Sequence, residues 1–513
     1  MAKIFIDEQP FEVEDGLTVF QAAKQNGIDI PHLCYHPAFP PEGTCRMCLV
    51  EIEGVPKLEL ACAAIVRDGM KVSTLNEKVA EARKGVLEFL LAEHPIDCPI
   101  CDQAGECKLQ DYYEEYGMFE SKFRENKEKY AKKTELGKNL IHDQERCVLC
   151  RRCVRFLRDV TKTEELGVFE RGIHAEVNIY DENPVSNNYS GNLAQICPVG
   201  AITDKDFRFQ TRSWFLDSGA SICPVCSRGC SISIDYHKGF ARFQTPKRVY
   251  RIRARHNPDI NGHWICDLGR YGYSFLNEAR LENIVGPDKK KDYAWKDIIS
   301  DLADKLIHLR QKATNISMVL YSWLTNEELF LIKKIFQSGL GVERFYFADL
   351  SDKEEGDDFL LTADRNPNRR GAAEVGFDLN PPNLKNLAND TDMILVFGSF
   401  LARQFEGSEL KPLFENISHK ILLTPRPGEF NDLFDYVLPV ATIPEKSGSL
   451  TNVDGITQDF DPVLESVGDS RAEWEILVDL AKAMNLDFYE YNKFSSPSVI
   501  REEMGEEIPF FRK

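Results

Sequence analysis

The sequence has no apolar run of about 18 residues, so we expect no transmembrane helix. Its first residues also lack the basic segment, apolar stretch and small-residue cleavage site of a signal peptide. Positive charge is scarce, because 63 Lys and Arg face 82 Asp and Glu, a net charge of -19 over 513 residues. That sign disfavours nucleic acid as a partner, since phosphate binding needs a positive surface. Composition otherwise indicates a globular protein of several domains.

Cysteine is absent from the last 247 residues, and all 15 cysteines lie between Cys34 and Cys266. Disulfide frameworks are typical of small secreted proteins, and an odd number of thiols would leave one unpaired. The clustering at short spacings instead indicates metal ligands. No G-x-G-x-x-G fingerprint and no Ser/His/Asp or Cys/His arrangement stands out, so we predict neither a dinucleotide site nor a catalyst.

The cysteines form three quartets and one triplet. The spacings are C-x10-C-x2-C-x13-C, then C-x2-C-x5-C for the triplet, C-x2-C-x2-C with a distant Cys-Pro, and C-x2-C-x3-C with a distant cysteine. The four groups are Cys34, Cys45, Cys48 and Cys62; Cys98, Cys101 and Cys107; Cys147, Cys150, Cys153 and Cys197; and Cys223, Cys226, Cys230 and Cys266. His94, four residues before the triplet, would complete sixteen ligands for four sites.

Iron–sulfur clusters and zinc both take four such ligands. Zinc sites usually show two C-x2-4-C knuckles, whereas each group here has most of its thiols in one short loop. In ferredoxins, three ligands of a [4Fe–4S] cluster come from one short loop and the fourth comes from a distant Cys-Pro. We therefore predict iron–sulfur clusters, with zinc in every site as the alternative. A His94 ligand would reduce negative charge and raise the potential, as in Rieske centres, and an unseen water or carboxylate is the alternative ligand.

Two further sets of residues lie beside these ligands. Positive side chains near the third group favour the reduced cluster, although salt bridges to the abundant acids would also explain them. These side chains are Arg146, Arg151, Arg152 and Arg155. Gly229 and Gly262 are predicted to allow close backbone approach to the last site, with ordinary turns as the alternative.

Local patterns predict the main elements. Lys3–Ile6 and Phe11–Val13 indicate a hairpin, Thr18-Val-Phe-Gln21 a capping box, Val79–Ala92 a helix, and the charged segment 119–145 a solvated helix. From about residue 272, apolar runs alternate with helical segments, which is typical of a parallel α/β sheet. The runs are Met318–Tyr321, Phe345–Phe347, Met393–Phe397, Ile421–Leu423 and Tyr436–Val440.

Together, these motifs resemble the large iron–sulfur subunit of bacterial NADH–quinone oxidoreductases, respiratory complex I. The resemblance covers nearly the whole chain. It implies that the first quartet holds a [2Fe–2S] cluster and that His94 with the triplet holds a [4Fe–4S] cluster. The other two quartets would each hold a [4Fe–4S] cluster, the last being an extra one that only some members retain.

The remainder is similar to molybdopterin oxidoreductases in three stretches: Thr325–Glu328, Tyr436–Ala441 and Glu445–Gly455. Catalytic members of that superfamily are much longer and commonly bind molybdenum through Cys, selenocysteine or Ser. This chain has no cysteine left for that role. The resemblance therefore implies a shortened scaffold with no molybdopterin.

The expected fold is an α+β multidomain protein with a β-grasp ferredoxin domain, cysteine-rich [4Fe–4S] domains and a C-terminal α/β parallel-sheet domain. The expected boundaries are 1–78, 79–118, 119–213, 214–271 and 272–513. The resemblance implies electron relay from an NADH/FMN subunit toward a quinone-side iron–sulfur subunit, without a substrate-converting site in this chain. The expected location is cytoplasmic, at the inner face of the membrane through partner subunits. The alternative is the electron-transfer subunit of an NAD-linked hydrogenase or formate dehydrogenase.

Overall fold

The computed structural model divides into two compact units, Met1–Leu216 and Asp217–Lys513. It describes residues 1–117, 120–180, 183–237, 247–310, 315–349, 351, 356–379, 391–398, 407–486 and 493–512. Among these residues, no helix combines the length and the apolar character that crossing a membrane requires.

The first unit begins with a five-stranded sheet and one helix. The strands are β1 Ala2–Ile6, β2 Gln9–Val13, β3 Leu49–Ile52, β4 Glu59–Leu60 and β5 Lys71–Ser73, and the helix is α1 Val19–Gln25. The order is β2-β1-β5-β3-β4, with β1 and β5 parallel and the other pairs antiparallel. The predicted hairpin and the capping box of Thr18 with Gln21 are confirmed. Apolar side chains of α1 and the sheet form one core beneath the first quartet's loop.

Short elements joined by long loops build the rest of this unit. They are α2 Glu77–Glu93, α3 Lys108–Glu115, β6 Thr134–Glu135, β7 Leu140–His142, α4 Arg152–Arg155, β8 Leu166–Phe169, β9 Glu176–Ile179, α5 Asn192–Ile196 and β10 Ile202–Asp204. A π-helical turn, Phe156–Val160, continues α4. β8 pairs with β9, and β7 lies between β10 and β6.

The prediction of a helix over 119–145 is wrong for the described residues. Residue 119 lies outside the described part, and the segment from 120 contains only β6, β7 and a 3-10 turn at Gln144–Arg146. Its Lys127 ammonium instead donates hydrogen bonds to three carbonyls at the end of α2. Such tertiary contacts can override the helix propensity of a charged segment.

The second unit begins with an antiparallel sheet around the last cysteine group. Its elements are β11 Leu216–Ile222, β12 Ser231–His237, β13 Val249–Ala254 and α6 Asp267–Tyr271, with the strand order β11-β12-β13. Apolar side chains of β12, β13 and the segment leading into α6 enclose Cys223 and Cys230 in a common core.

A parallel sheet with helices forms the remainder. The elements are α7 Trp295–Leu309, β14 Ile316–Leu320, α8 Asn326–Ile332, β15 Arg344–Phe347, α9 Arg369–Val375, β16 Met393–Phe397, α10 Gly407–Phe414, β17 His419–Thr424, β18 Tyr436–Pro439, β19 Gly448–Thr451, β20 Thr457–Phe460, α11 Glu473–Ala483 and α12 Pro497–Glu507. All pairings in the sheet β15-β14-β16-β17-β18 are parallel, which confirms the predicted α/β pattern. β19 and β20 form a separate hairpin.

Candidate metal centres

The four thiols of the first quartet are buried and contact one another in two pairs. Cys34 accepts a hydrogen bond from Cys45, and this bond lowers the pKa of Cys34 to about 5 although burial opposes the shift. A hydrogen bond from Cys48 likewise lowers the pKa of Cys62. Donating these bonds, together with burial, raises the pKa of Cys45 and Cys48. Two buried pairs of sulfur donors fit a two-iron centre with two cysteines on each iron.

Neighbouring groups hold this loop in place. The backbone N–H of Leu33 points to Sγ of Cys45 at 3.4 Å. The Tyr112 hydroxyl, on α3, accepts a hydrogen bond from the N–H of His32 and donates one to its carbonyl. Donors aimed at a sulfur stabilise its negative charge, and they are one of the means by which a protein sets a cluster potential.

His94 caps the end of α2, directly before the triplet. Burial is the main cause that lowers the pKa of His94 to about 4, and the charges of Lys127 and Arg146 add to it. The imidazole is therefore neutral at physiological pH, which is the form that binds a metal. Its carbonyl accepts a hydrogen bond from Lys127 at 2.6 Å, which fixes the residue at the helix end.

The triplet's thiols differ in exposure. Cys101 and Cys107 are buried, whereas Cys98 is exposed. Burial raises the pKa of Cys101, and it raises the pKa of Cys107 to about 12. The Arg146 guanidinium acts on both Cys101 and His94, so the two lie near a common charge. The set offers one neutral nitrogen and three sulfur donors.

The third group lines a single space. Its empty volume is about 350 Å³, part of it open to solvent, and it is bounded by all four predicted ligands, by apolar side chains, by His142 and by two arginines, Arg151 and Arg152. Leu149 and Arg151 lie in the left-handed region, with φ of 49° and 59°, and they turn the chain between successive cysteines. Burial raises the pKa of all four thiols, to about 11 for Cys150. Four sulfur donors around one space are the donor set that a [4Fe–4S] cluster takes.

Gly200 joins this site to the triplet. A Cβ atom at Gly200 would overlap Sγ of Cys101, so only glycine permits this approach. The charge of Cys197 also acts on Cys107. The Cys197 loop and the triplet are therefore in direct contact.

Two arginines of α4 join the third group to the first quartet. Arg152 donates hydrogen bonds to the carbonyls of Tyr35 and Ile196, at 2.6 and 3.1 Å. Arg155 donates to the carbonyls of Cys34 and Pro40. Apolar and cysteine side chains of all three sites share one core.

The last quartet lies in the second unit, and its four thiols are buried. Burial and mutual charge raise the pKa of Cys223 and Cys230, and burial raises the pKa of Cys266 to about 12. The N–H of Gly269 donates to Sγ of Cys266 at 3.3 Å, and a Cβ atom there would lie 2.9 Å from Sγ of Cys223.

The glycines that approach a ligand sulfur most closely are Gly200 and Gly269, whereas the sequence pattern singles out Gly229 and Gly262. Gly229 and Gly262 have φ of 62° and 54°, and a Cβ atom would meet nothing closer than 3.4 Å at Gly229 and nothing within 4 Å at Gly262. Both conformations favour glycine in a turn, and close backbone approach to the metal centre stays a prediction. Gly200 and Gly269 are not identified from the sequence. Each follows a predicted cysteine ligand by three residues, and this spacing could have indicated them.

In the described part of the chain, no group of three or more His, Cys, Asp or Glu side chains is arranged to hold a metal ion. The sets are therefore assigned by their loops, burial and donor chemistry.

The α/β part brings together two of the stretches that resemble molybdopterin oxidoreductases. The Lys446 ammonium donates to both Glu328 oxygens and to Glu473, at 2.7 to 2.9 Å, and all three side chains are buried. Asn326 donates to Ser449 at 3.0 Å on the same interface. These groups bind one another, so the network holds α8, β19 and α11 together.

Family models match four stretches of this chain. They describe a 2Fe-2S iron-sulfur cluster binding domain over 1–77, an NADH-ubiquinone oxidoreductase-G iron-sulfur binding region over 83–122, an NADH-quinone oxidoreductase subunit 3 ferredoxin-like domain over 137–203, and a molybdopterin oxidoreductase over 426–483. With the buried donor sets, these matches define a multi-cluster iron–sulfur protein that carries a molybdopterin-oxidoreductase region.

Curated relatives indicate a narrower class of iron–sulfur protein than the family models do. The G subunit of the NADH-quinone oxidoreductase of Rickettsia felis is 40% identical over 339 residues, which are 66% of this chain and 49% of that protein. The NADH-ubiquinone oxidoreductase 75 kDa subunit of Reclinomonas americana is 37% identical over 372 residues, 71% of this chain and 52% of that protein. The chain is a homologue of the NADH-quinone oxidoreductase G subunits, and it spans about half the length of these relatives.

One solved structure is also similar. It is the crystal structure of an NAD+-reducing [NiFe]-hydrogenase in the H2-reduced state, 31% identical, with a TM-score of 0.38. The match covers 41% of this chain and 91% of that chain.

Proposed function

We propose that this chain is an electron-transfer subunit of an NADH–quinone oxidoreductase, relaying electrons from an NADH/FMN subunit toward quinone. The observation that carries the proposal is the continuity of three donor sets in the first unit. Arg152 and Arg155 join the first quartet to the third group, and Gly200 joins the third group to the triplet. Such continuity suits passage of single electrons through a protein that does no acid–base chemistry itself.

The proposed cofactors are one [2Fe–2S] and three [4Fe–4S] clusters, without molybdopterin. The [2Fe–2S] ligands are Cys34, Cys45, Cys48 and Cys62. The [4Fe–4S] ligands are His94, Cys98, Cys101 and Cys107; Cys147, Cys150, Cys153 and Cys197; and Cys223, Cys226, Cys230 and Cys266. The mixed sheet and α1 around the first quartet support a β-grasp fold for 1–78, and we retain 79–118, 119–213, 214–271 and 272–513 as the further domains.

Iron–sulfur clusters supply one-electron redox chemistry when bound. The residues of this chain contribute by holding the ligands, excluding water and placing charge. Burial of the thiols and of the arginines beside them lowers the local dielectric, so each nearby charge acts strongly. The neutral His94 makes its centre less negative than one held by four cysteines.

The contacts support an order of transfer. The first quartet and the triplet are each joined to the third group, which puts the third group between them in the proposed path. Cys98 is the exposed ligand of the triplet, and its position suits transfer out of the chain. We propose that electrons enter at the [2Fe–2S] centre and leave from the His94 centre.

The fourth centre has a different proposed role. Its ligand loop is tied to the α/β part, because the N–H of Ser227 donates to the Asp364 carbonyl and Arg228 pairs with Asp454, at 2.9 and 2.7 Å. We propose that this cluster mainly stabilises the second unit. The chain would have no substrate-converting site of its own.

The proposed partners are a flavin/NADH-binding subunit and a quinone-side iron–sulfur subunit of the same complex. These partners would hold the chain at the inner, cytoplasmic face of the cell membrane. No nucleic acid is expected among its partners, given the net charge of -19.

The test is to measure iron, acid-labile sulfide, zinc and molybdenum per chain after anaerobic purification. One [2Fe–2S] and three [4Fe–4S] clusters require about 14 iron with matching sulfide. About four zinc per chain would make the protein a metal-stabilised scaffold, and about one molybdenum would restore an active site. Co-purification with hydrogenase or formate dehydrogenase subunits in place of a quinone-side subunit would reject the proposed complex.

A further inference from the structure

Helix α4 carries a buried arginine that contacts the main chain beside two different centres. Arg152 donates one hydrogen bond to the carbonyl of Tyr35, the residue after Cys34, and another to that of Ile196, the residue before Cys197. A single rigid guanidinium therefore connects a ligand loop of the first quartet with a ligand loop of the third group. The planar fork of arginine suits two simultaneous bonds, which lysine cannot reproduce.

The charge of Arg152 lacks a carboxylate partner within the described residues, although the side chain is buried. Arg155, one helical turn further on, differs in this respect, because its Nε lies 3.2 Å from Glu42. A buried cation with no anion nearby is strongly unfavourable. The sulfurs of both sites act on Arg152 as anions when they are deprotonated, which is the form that binds a metal, namely those of Cys150, Cys197, Cys34 and Cys45.

We propose that Arg152 is a positioning residue shared by the [2Fe–2S] centre and the Cys147 centre. Its charge raises the reduction potential of both, and its two hydrogen bonds hold the Cys34 loop and the Cys197 loop at a fixed separation. This inference rests on the proposed function, since it requires clusters at both sites. Arginine remains protonated at all relevant pH values, so its effect is constant.

One positive charge beside two centres affects the reduction potentials of both. Reduction adds one negative charge to a cluster, and a fixed positive charge favours that state. Because Arg152 is bonded to a ligand loop of each centre, its charge raises the potentials of both. Removing its charge would therefore shift both centres in the same direction.

The experiment is a redox titration of the whole complex, followed by EPR, with Arg152→Gln and Arg152→Lys. We expect Arg152→Gln to move both centres to more negative potentials and to leave the His94 and Cys223 centres unmoved. Arg152→Lys should keep both potentials close to the original ones, with broader signals because one hydrogen bond is lost. The matched control is Arg158→Gln, an exposed arginine just beyond α4 that pairs with Asp159.

Two results would overturn the inference: unshifted potentials in Arg152→Gln with both signals present, or a shift of one centre alone. If the EPR signals of both centres are absent from Arg152→Gln but present in Arg152→Lys at near-original potentials, the result would support the role of the positive charge. Loss in both variants would assign the residue to folding alone and also overturn it. Absence of these EPR signals from the unmodified protein would instead reject the proposed function.

Discussion

Gly200 and Cys101 are in contact although they are distant in sequence, and no room is left for a Cβ atom between the backbone of Gly200 and Sγ of Cys101. Gly200 belongs to the loop of Cys197, and Cys101 belongs to the triplet. The approach of these two loops is therefore limited by a contact between backbone and sulfur.

Replacing Gly200 with alanine tests this contact. The added Cβ atom cannot be accommodated unless Cys101 moves, so we expect loss of the His94 centre and of about four iron per chain. Iron analysis and EPR of the purified protein measure both. The control is Gly85→Ala within α2, where a Cβ atom would meet nothing within 4 Å and helix propensity improves. Full iron content in Gly200→Ala would show that the contact is not needed.

The ligand identity of His94 is tested by His94→Cys. A thiolate in place of the neutral imidazole adds negative charge to the centre, so we expect the cluster to remain with a more negative potential. His94→Ala should lose the cluster. EPR-monitored titration gives the potentials, and His308→Cys, at an exposed position of α7, serves as the control. An unchanged potential in His94→Cys would remove His94 from the ligand set.

Much of this organisation could be predicted from local patterns. Strand β16, Met393–Phe397, has the bounds that its apolar run predicts, because a continuous run flanked by polar residues defines a buried strand. The capping box at Thr18 is equally local, since its partner lies three residues away. The spacings within each short cysteine loop are local too, whereas Cys197 and Cys266 lie far along the chain from the loops that they are predicted to complete.

Contacts between distant residues could not be predicted in this way. Nothing near Lys446 indicates that its ammonium meets Glu328, 118 residues earlier, because the pairing arises only when β19 packs on α8. The two-by-two pairing of the first quartet's thiols has the same origin. The helix prediction for segment 119–145 rests on the helix propensity of its charged residues, and it is wrong for the described residues. Lys127 of this segment binds the end of α2, a contact that local propensity does not indicate.

The role of the fourth centre is tested by Cys226→Ser. The neighbouring Ser227 and Arg228 are bonded to the α/β part, and this centre is outside the proposed path. We expect about four iron to be lost, with lower thermal stability of the complex and largely retained NADH-to-quinone turnover. Cys150→Ser is the comparison, since it should abolish turnover. Marked loss of turnover in Cys226→Ser at undiminished assembly would place this centre on the path.

The buried ion pairs of Lys446 are tested by Lys446→Met. The change leaves Glu328 and Glu473 buried without their cation, so we expect the free energy of unfolding to fall by about 3–5 kcal/mol. Urea denaturation of the full chain measures it. Lys289→Met removes an exposed pair with Asp432, and there we expect at most about 1 kcal/mol. Equal effects of the two substitutions would contradict the packing of α8, β19 and α11.

The pH dependence of stability should include a contribution from Glu473. Burial and the charge of Glu328 raise the pKa of Glu473 to about 7 from its usual 4.5, against the opposing effect of Lys446. The folded state therefore holds a proton that the unfolded state releases between about pH 4.5 and 7, so this contribution to stability falls as the pH rises through that window.

Substituting the carboxyl with a neutral amide isolates this contribution. Glu473→Gln cannot ionise, so its stability relative to the unmodified protein should improve between about pH 4.5 and pH 7 and level off above pH 7. Urea unfolding at each pH gives the difference, and Glu475→Gln, on the same helix but partly exposed, controls for the removal of a charge from α11. A difference that stays constant over this range would mean that Glu473 does not bind a proton in the folded protein, and that Lys446 balances both carboxylates.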